Sequence, residues 1–151
     1  MYTKQEESKQ KQAFWTAFGQ YMNPILSADG ESVNWINYKT GIPGIYFRMN
    51  AGHRQASIAI ELTHSDIELQ QSFYHQLVGL KLILHETLGE EWQWQPLTDD
   101  DHGKTISRVT IQMHNVNIAR QEDWPQLITF FKQRIIALDA FWSMAKYSFE
   151  K

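Results

Sequence analysis

The stretches Ile45-Tyr46-Phe47-Arg48-Met49-Asn50 and Ser57-Ile58-Ala59-Ile60-Glu61-Leu62-Thr63 decide the fold. Both alternate apolar with other residues, the period of a half-buried strand, and the few residues between them make the pair a hairpin. A sheet buries its apolar set on one face, so Ile45, Phe47 and Met49 belong on the side of Ile58, Ile60 and Leu62. That condition permits only pairings whose two residue numbers sum to an odd value. Tyr46, Arg48 and Glu61 are then thrown together on the opposite face. A third alternating run, Thr105 to Met113, adds Val109, Ile111 and Met113 to the apolar set and Arg108, Thr110 and Gln112 to the polar one.

Helical signals surround these strands. The amino end predicts a helix from about Thr3 to Met22, with Phe14, Phe18 and Tyr21 or Met22 in a stripe beside Trp15, ended by Pro24. Its first ten residues are polar all round and read as solvated or frayed. Asp29-Gly30 and Pro43-Gly44 are turn dipeptides bounding an irregular loop that carries Trp35, Tyr38 and Lys39, with Trp35 expected to anchor the loop in the core. Ser65 followed by Glu68 forms a capping box, and Ile67, Leu69, Phe73, Leu77, Leu80, Leu84 and Leu88 form one helical stripe closed by Gly89. Val78 and Ile83 widen that stripe, which predicts a helix nearly surrounded by protein. Trp92 to Gln95 reads as a short strand ended by Pro96. Leu97 to Lys104 reads as a solvated turn. The last helix is capped by Asp123, tolerates Pro125 in its first turn, and carries Leu127, Phe131, Ile135, Leu138, Trp142 and Phe149.

The element order is therefore αββαββα, an α+β domain with a four-stranded, mainly antiparallel sheet and long helices on one face. Four strands at about 4.8 Å spacing make a sheet roughly 19 Å wide, and helices need about 8–10 Å each, so one face holds roughly two of the three. We expect the central and C-terminal helices there, with the first helix packed on the C-terminal one through the two Phe-Trp pairs, 14–15 and 141–142. A first helix lying over the polar face would instead bury it.

Composition narrows the classes. The 151 residues fit a single domain, 1–151, able to bury roughly 70% of its unfolded surface. Six Trp, six Tyr and eight Phe are many for this length and point to an aromatic core or a binding surface. Fourteen basic against seventeen acidic residues, net −3, argue against a domain whose entire surface is an electrostatic footprint for nucleic acid. The chain has no cysteine, which excludes disulfides, thiolate zinc sites and Cys nucleophiles. Residues 1–12 lack the apolar run of a signal peptide, and Leu77 to Leu84 is far short of a membrane span, so a cytoplasmic protein is expected.

Candidate sites are few. Arg48, Glu61 and Arg108 present planar guanidinium forks beside a carboxylate, chemistry suited to phosphate or carboxylate ligands and equally to cross-strand ion pairing. Tyr46, with Trp92 or Trp94 near those arginines, makes a stacking platform of the kind single-strand binders use. Glu61 and His64 do not converge at a strand end, and His75 and His85 stand roughly 15 Å apart on one helix, so no metal site is expected. His64-Ser65-Asp66 has triad residue types without triad geometry, and Ser65 is already engaged as a cap. Asp99 to Asp101 lack the alternation of a calcium loop, and Gly41 and Gly44 lack the context of a phosphate loop. No catalytic residue and no cofactor is indicated.

Several fragments occur together: Phe14-Trp15 with Phe18, Trp35 to Gly41, Ile58 to Leu62 with His64 and Asp66, Lys81 to Gly89 followed by Trp92, Ser107-Arg108, Asp123-Trp124-Pro125, and Ile135 to Trp142. In that order they resemble the bacterial family known as domain of unknown function 4268 over nearly the whole chain. The resemblance implies a module found alone or attached to nuclease-like domains of the PD-(D/E)XK type, and hence DNA-related work. The lysine which that nuclease pattern wants two positions after Glu61 is replaced by Thr63. The leading expectation is a non-enzymatic interaction module that forms a homo-oligomer. A nucleic-acid accessory domain using Tyr46, Arg48, Glu61, Arg108 and Trp94 is the alternative. An enzyme using Glu61 as acid or base is a third reading, which requires a pocket around that carboxylate.

Overall fold

A computed structural model describes residues 3–150. The chain forms α1 (Lys4–Met22), β1 (Ile45–Ala51), β2 (Gln55–Leu62), α2 (Ile67–Gly79), α3 (Lys81–Leu88), β3 (Gln93–Asp99), β4 (Thr105–His114) and α4 (Trp124–Ala145). The strands make one antiparallel sheet in the order β1-β2-β4-β3. Its register follows the parity argument. Ile45 faces Leu62, Phe47 faces Ile60 and Met49 faces Ile58, while Ile60 faces Val109 and Ile58 faces Ile111. These side chains, apart from partly buried Met49 and Ile111, are enclosed in the core.

The helices divide as the width of the sheet requires. α4 and α2 pack on the central strands, α3 leans on α4, and α1 lies against α4. The α1–α4 contact is aromatic, but only the first Phe-Trp pair, 14–15, takes part in it. Phe14 meets Trp124 edge-on at 5.5 Å and Trp15 meets Phe131 at 5.1 Å, whereas Trp142 packs on Phe47 and Phe149. The reason is axial position: Phe141-Trp142 sits about five turns of helix beyond Trp124, over the sheet, so α1 meets the first half of α4 instead. Thr3 caps α1 by accepting from the Glu6 N–H, and residues 3–6 are exposed, as their polarity dictates.

The central helix departs from expectation in three ways. Its N-cap is Asp66, whose Oδ1 accepts from the N–H groups of Glu68 and Leu69, because a carboxylate outbids the Ser65 hydroxyl for donors at the positive end of a helix. It breaks at Leu80 into α2 and α3, just after Gly79, a residue with little helix propensity. The break turns the widening residues Val78 and Ile83 outward, together with Leu82, so this face is exposed rather than surrounded. Gly89 does provide the left-handed terminus, at φ +72°.

β3 does not end at Pro96. A bulge between Gln95 and Thr98, with Leu97 at φ +47°, carries the strand on to Asp99. Proline is tolerated because β3 is an edge strand. The bulge is held from below: the Leu97 N–H donates to Ser107 Oγ at 3.0 Å, and Ser107 Oγ donates to Oε1 of fully buried Gln70 at 2.9 Å. Asp123 precedes α4 but its side chain does not cap it; Oδ2 accepts from the Asn117 N–H. At Gly44 the backbone needs glycine, since φ is +86° and a Cβ there would lie 2.9 Å from that of His64.

Candidate functional site

The sheet face away from the helices carries two cross-strand rows. Tyr46, Glu61, Arg108 and Gln95 follow one another across β1, β2, β4 and β3, and Arg48, Ala59, Thr110 and Gln93 form the next row. Arg48 leans diagonally, its Nε 3.5 Å from Glu61 Oε1 and its guanidinium 4.4 Å above the Tyr46 ring. Arg108 turns the other way, donating from Nε to Gln95 Oε1 at 2.6 Å. Glu61 thus lies between two arginines. Its side chain is 17% exposed against 49% for Arg48. Burial raises the Glu61 pKa, and the charges of Arg48 and then Arg108 pull it back only in part. The arrangement offers guanidinium donors and an aromatic face to an anionic group, with an internal carboxylate already competing for them.

Trp94 does not belong to this site. It pairs with Val109, so strand alternation sends it to the helix side, where its Nε1 donates to His85 Nε2 at 3.4 Å and its ring meets Tyr74 edge-on. Trp92 is buried, donating to Glu90 Oε2 at 2.8 Å. The stacking residue available to the arginines is Tyr46. The best-formed concavities lie away from Glu61. Among the described residues no cluster of three or more His, Asp or Glu side chains is placed to hold a metal ion.

A second polar site escaped the sequence reading. Asp139, on the inner stripe of α4, is 4% exposed. Its Oδ1 accepts from the Tyr38 hydroxyl at 2.6 Å and its Oδ2 from the Ala28 N–H at 2.7 Å, so one carboxylate fastens both parts of the loop between α1 and β1. Trp142 adds a third tie, donating from Nε1 to the Thr40 carbonyl at 2.8 Å. Trp35 anchors the same loop as expected, buried and donating to the Ile25 carbonyl. Burial, then the bond to Asp139 and the charges of Asp139 and Asp29, drive the Tyr38 pKa far above its ordinary value. A cavity of about 480 Å³ opens between this loop and α4, with Asp139 in its wall. The signal for it was an acid at 139 amid Ile135, Leu138 and Trp142, since a carboxylate on an apolar stripe needs a partner.

Fold and sites together define a small α+β module, one sheet face roofed by helices and the other open and polar. The chain belongs to the family described as domain of unknown function (DUF4268), whose profile matches residues 10–146. No curated protein and no solved structure matches it.

Proposed function

We propose that this chain is a non-enzymatic interaction module that pairs with a second copy of itself through the α2–α3 junction. The observation that carries the reading is the exposure there of Val78, Leu82 and Ile83, with Leu82 73% exposed. Apolar side chains gathered at one place are the usual mark of an association surface. The charges suit a two-fold contact. Lys81 and Glu86 flank the apolar residues on α3, and an antiparallel pairing of that helix with its copy sets each lysine against the partner's acid. Sedimentation should give a dimer, and Leu82→Glu with Ile83→Glu a folded monomer. A clean monomer at high concentration contradicts the reading. The same reading has the module working in the cytoplasm. No helix of the described residues is long and apolar enough to cross a membrane.

A second reading is favoured by the exposure of Arg48 stacked on Tyr46: a nucleic-acid accessory domain contacting the backbone through Arg48 and Arg108. It fits the association with nuclease-like domains that the family resemblance implies. Binding of single-stranded DNA should weaken with added salt and fall in Arg48→Ala and Arg108→Ala. Absence of binding at low salt, or no loss in the variants, removes this reading.

A further inference from the structure

β4 outruns the strand beside it. Its ladder with β3 starts where Gln93 faces Thr110, yet β4 continues through Ile111, Gln112, Met113 and His114, which pair with β2 alone among the described residues. Hydrogen bonding along an antiparallel strand alternates sides from one residue to the next. The Asn115 N–H donates to the Arg54 carbonyl on the β2 side, and the Asp100 N–H donates to the Lys104 carbonyl on the β3 side. Odd positions of β4 therefore bond β2, and even positions look toward β3. Gln112 and His114 thus turn their N–H and C=O groups to the side where β3 is missing, and among the described residues no backbone group answers them there. β3 guards its own outer edge with Pro96 and a bulge; this stretch of β4 carries neither device. On the helix side the same stretch borders a groove of about 590 Å³, walled by Met113 and, from α4, by Pro125, Thr129 and nearly buried Phe130. Arg134 reaches that wall with its charge taken up by the bidentate pair with Glu90, and no carboxylate lines the groove among the described residues. Its chemistry suits an uncharged, apolar side chain.

We propose that an extended peptide segment of a partner protein adds to β4 here, in the line of β3, with its backbone bonded to Gln112 and His114 and one apolar side chain, opposite Met113, in the groove. Two residues offering a donor and an acceptor each specify an extended backbone as the occupant. The alternation that turns Gln112 and His114 to the edge sends the partner residue between them to the helix side, where the groove lies. A second copy of this chain suits the place less. The open stretch is closed at one end by β3 and at the other by the turn at Asn115, φ +64°, and so admits a single thin chain rather than the edge of another sheet. None of these residues lies in α2 or α3, and Arg48 and Arg108 are not among them, so the inference goes beyond both readings above and does not depend on them.

A blocked seven-residue peptide of alternating threonine and serine with leucine at its centre, titrated into the full chain and followed by amide NMR shifts, tests the proposal. It should bind with a dissociation constant of about 1 mM or tighter and shift residues 111–114 and 125–134. The same peptide with aspartate at its centre, or with N-methyl groups on the two residues flanking leucine, should bind about tenfold more weakly or worse. Gln112→Pro removes a donor that faces away from β2, a place where an edge strand accepts proline, and should weaken the leucine peptide about tenfold or more. Should that variant fail to fold, Thr129→Arg, at an exposed position, fills the groove and should weaken binding to a similar degree. Absence of localised shifts, shifts centred elsewhere such as on β1, equal binding of the aspartate or N-methylated peptide, or undiminished binding in the folded variants overturns the proposal.

Discussion

Glu61 and Asp139 are both carboxylates set into largely apolar elements, and the chain treats them in opposite ways. Glu61 sits at a sheet surface between two arginines, where strand alternation alone decides its neighbours. Asp139 sits inside the helix layer with neutral donors from residues about one hundred positions earlier, where tertiary folding alone decides them. The first arrangement is local and modest in energy; the second holds a long loop onto the body of the protein. Ion pairs near solvent contribute little, whereas removing an acceptor from buried donors leaves those donors without partners.

The contrast is sharpest in substitution. Asp139→Ala strands the Tyr38 hydroxyl and the Ala28 N–H and should cost about 3 kcal/mol in urea unfolding, while Arg48→Ala should cost less than about 1 kcal/mol. Comparable losses for the two would break the comparison. Next in size is an alkaline effect. The folded pKa of Tyr38 is raised, so its contribution is complete below the unfolded value near pH 10 and is lost as pH rises further, when the unfolded chain ionises first. Tyr38→Phe should lower stability by about 1 kcal/mol at neutral pH and lessen the fall above pH 10. The smallest effect is at Glu61. Its folded pKa is also raised, so wild type should lose stability relative to Glu61→Gln as pH climbs from below the ordinary carboxylate range through the folded value. A relative gain over that window would reverse the assignment of burial as the dominant cause.

What could be read from the chain follows the same division. The pairing parity of β1 with β2, and the face each β4 residue takes, were legible because a period of two allows no compromise: one slip moves Phe47 and Ile60 into water, whereas strand order and exact register were not. The helix packing was legible from the width of the sheet. The break at Leu80 was hidden by an apolar stripe that runs without interruption past Gly79, and the stripe then overstated burial at Val78 and Ile83. Pro96 misled because proline ends a central strand but not a bulged edge. Trp94 was misplaced for want of a register for β3, which fixes its face only once Trp94 is set against Val109. The Asp139 clamp and the bidentate pair of Arg134 with Glu90, at 2.8 and 2.9 Å, join residues whose partners no local pattern identifies. The Asp139 clamp had one visible trace, the wrong residue type on an apolar stripe.

The central claim is that the sheet keeps one face dry under the helices and leaves the other uncovered by any helix, with Tyr46 and Arg48 exposed and Glu61 and Arg108 half-buried between their neighbours. Because the chain has no cysteine, single thiols can be introduced and their labelling rates compared in the native protein. Arg48→Cys and Gln112→Cys should react at rates near those of an unstructured thiol, and Phe47→Cys and Ile60→Cys only as fast as the protein unfolds. Protection at 48 and 112, or free reaction at 47 and 60 in a protein that remains folded, would contradict the account.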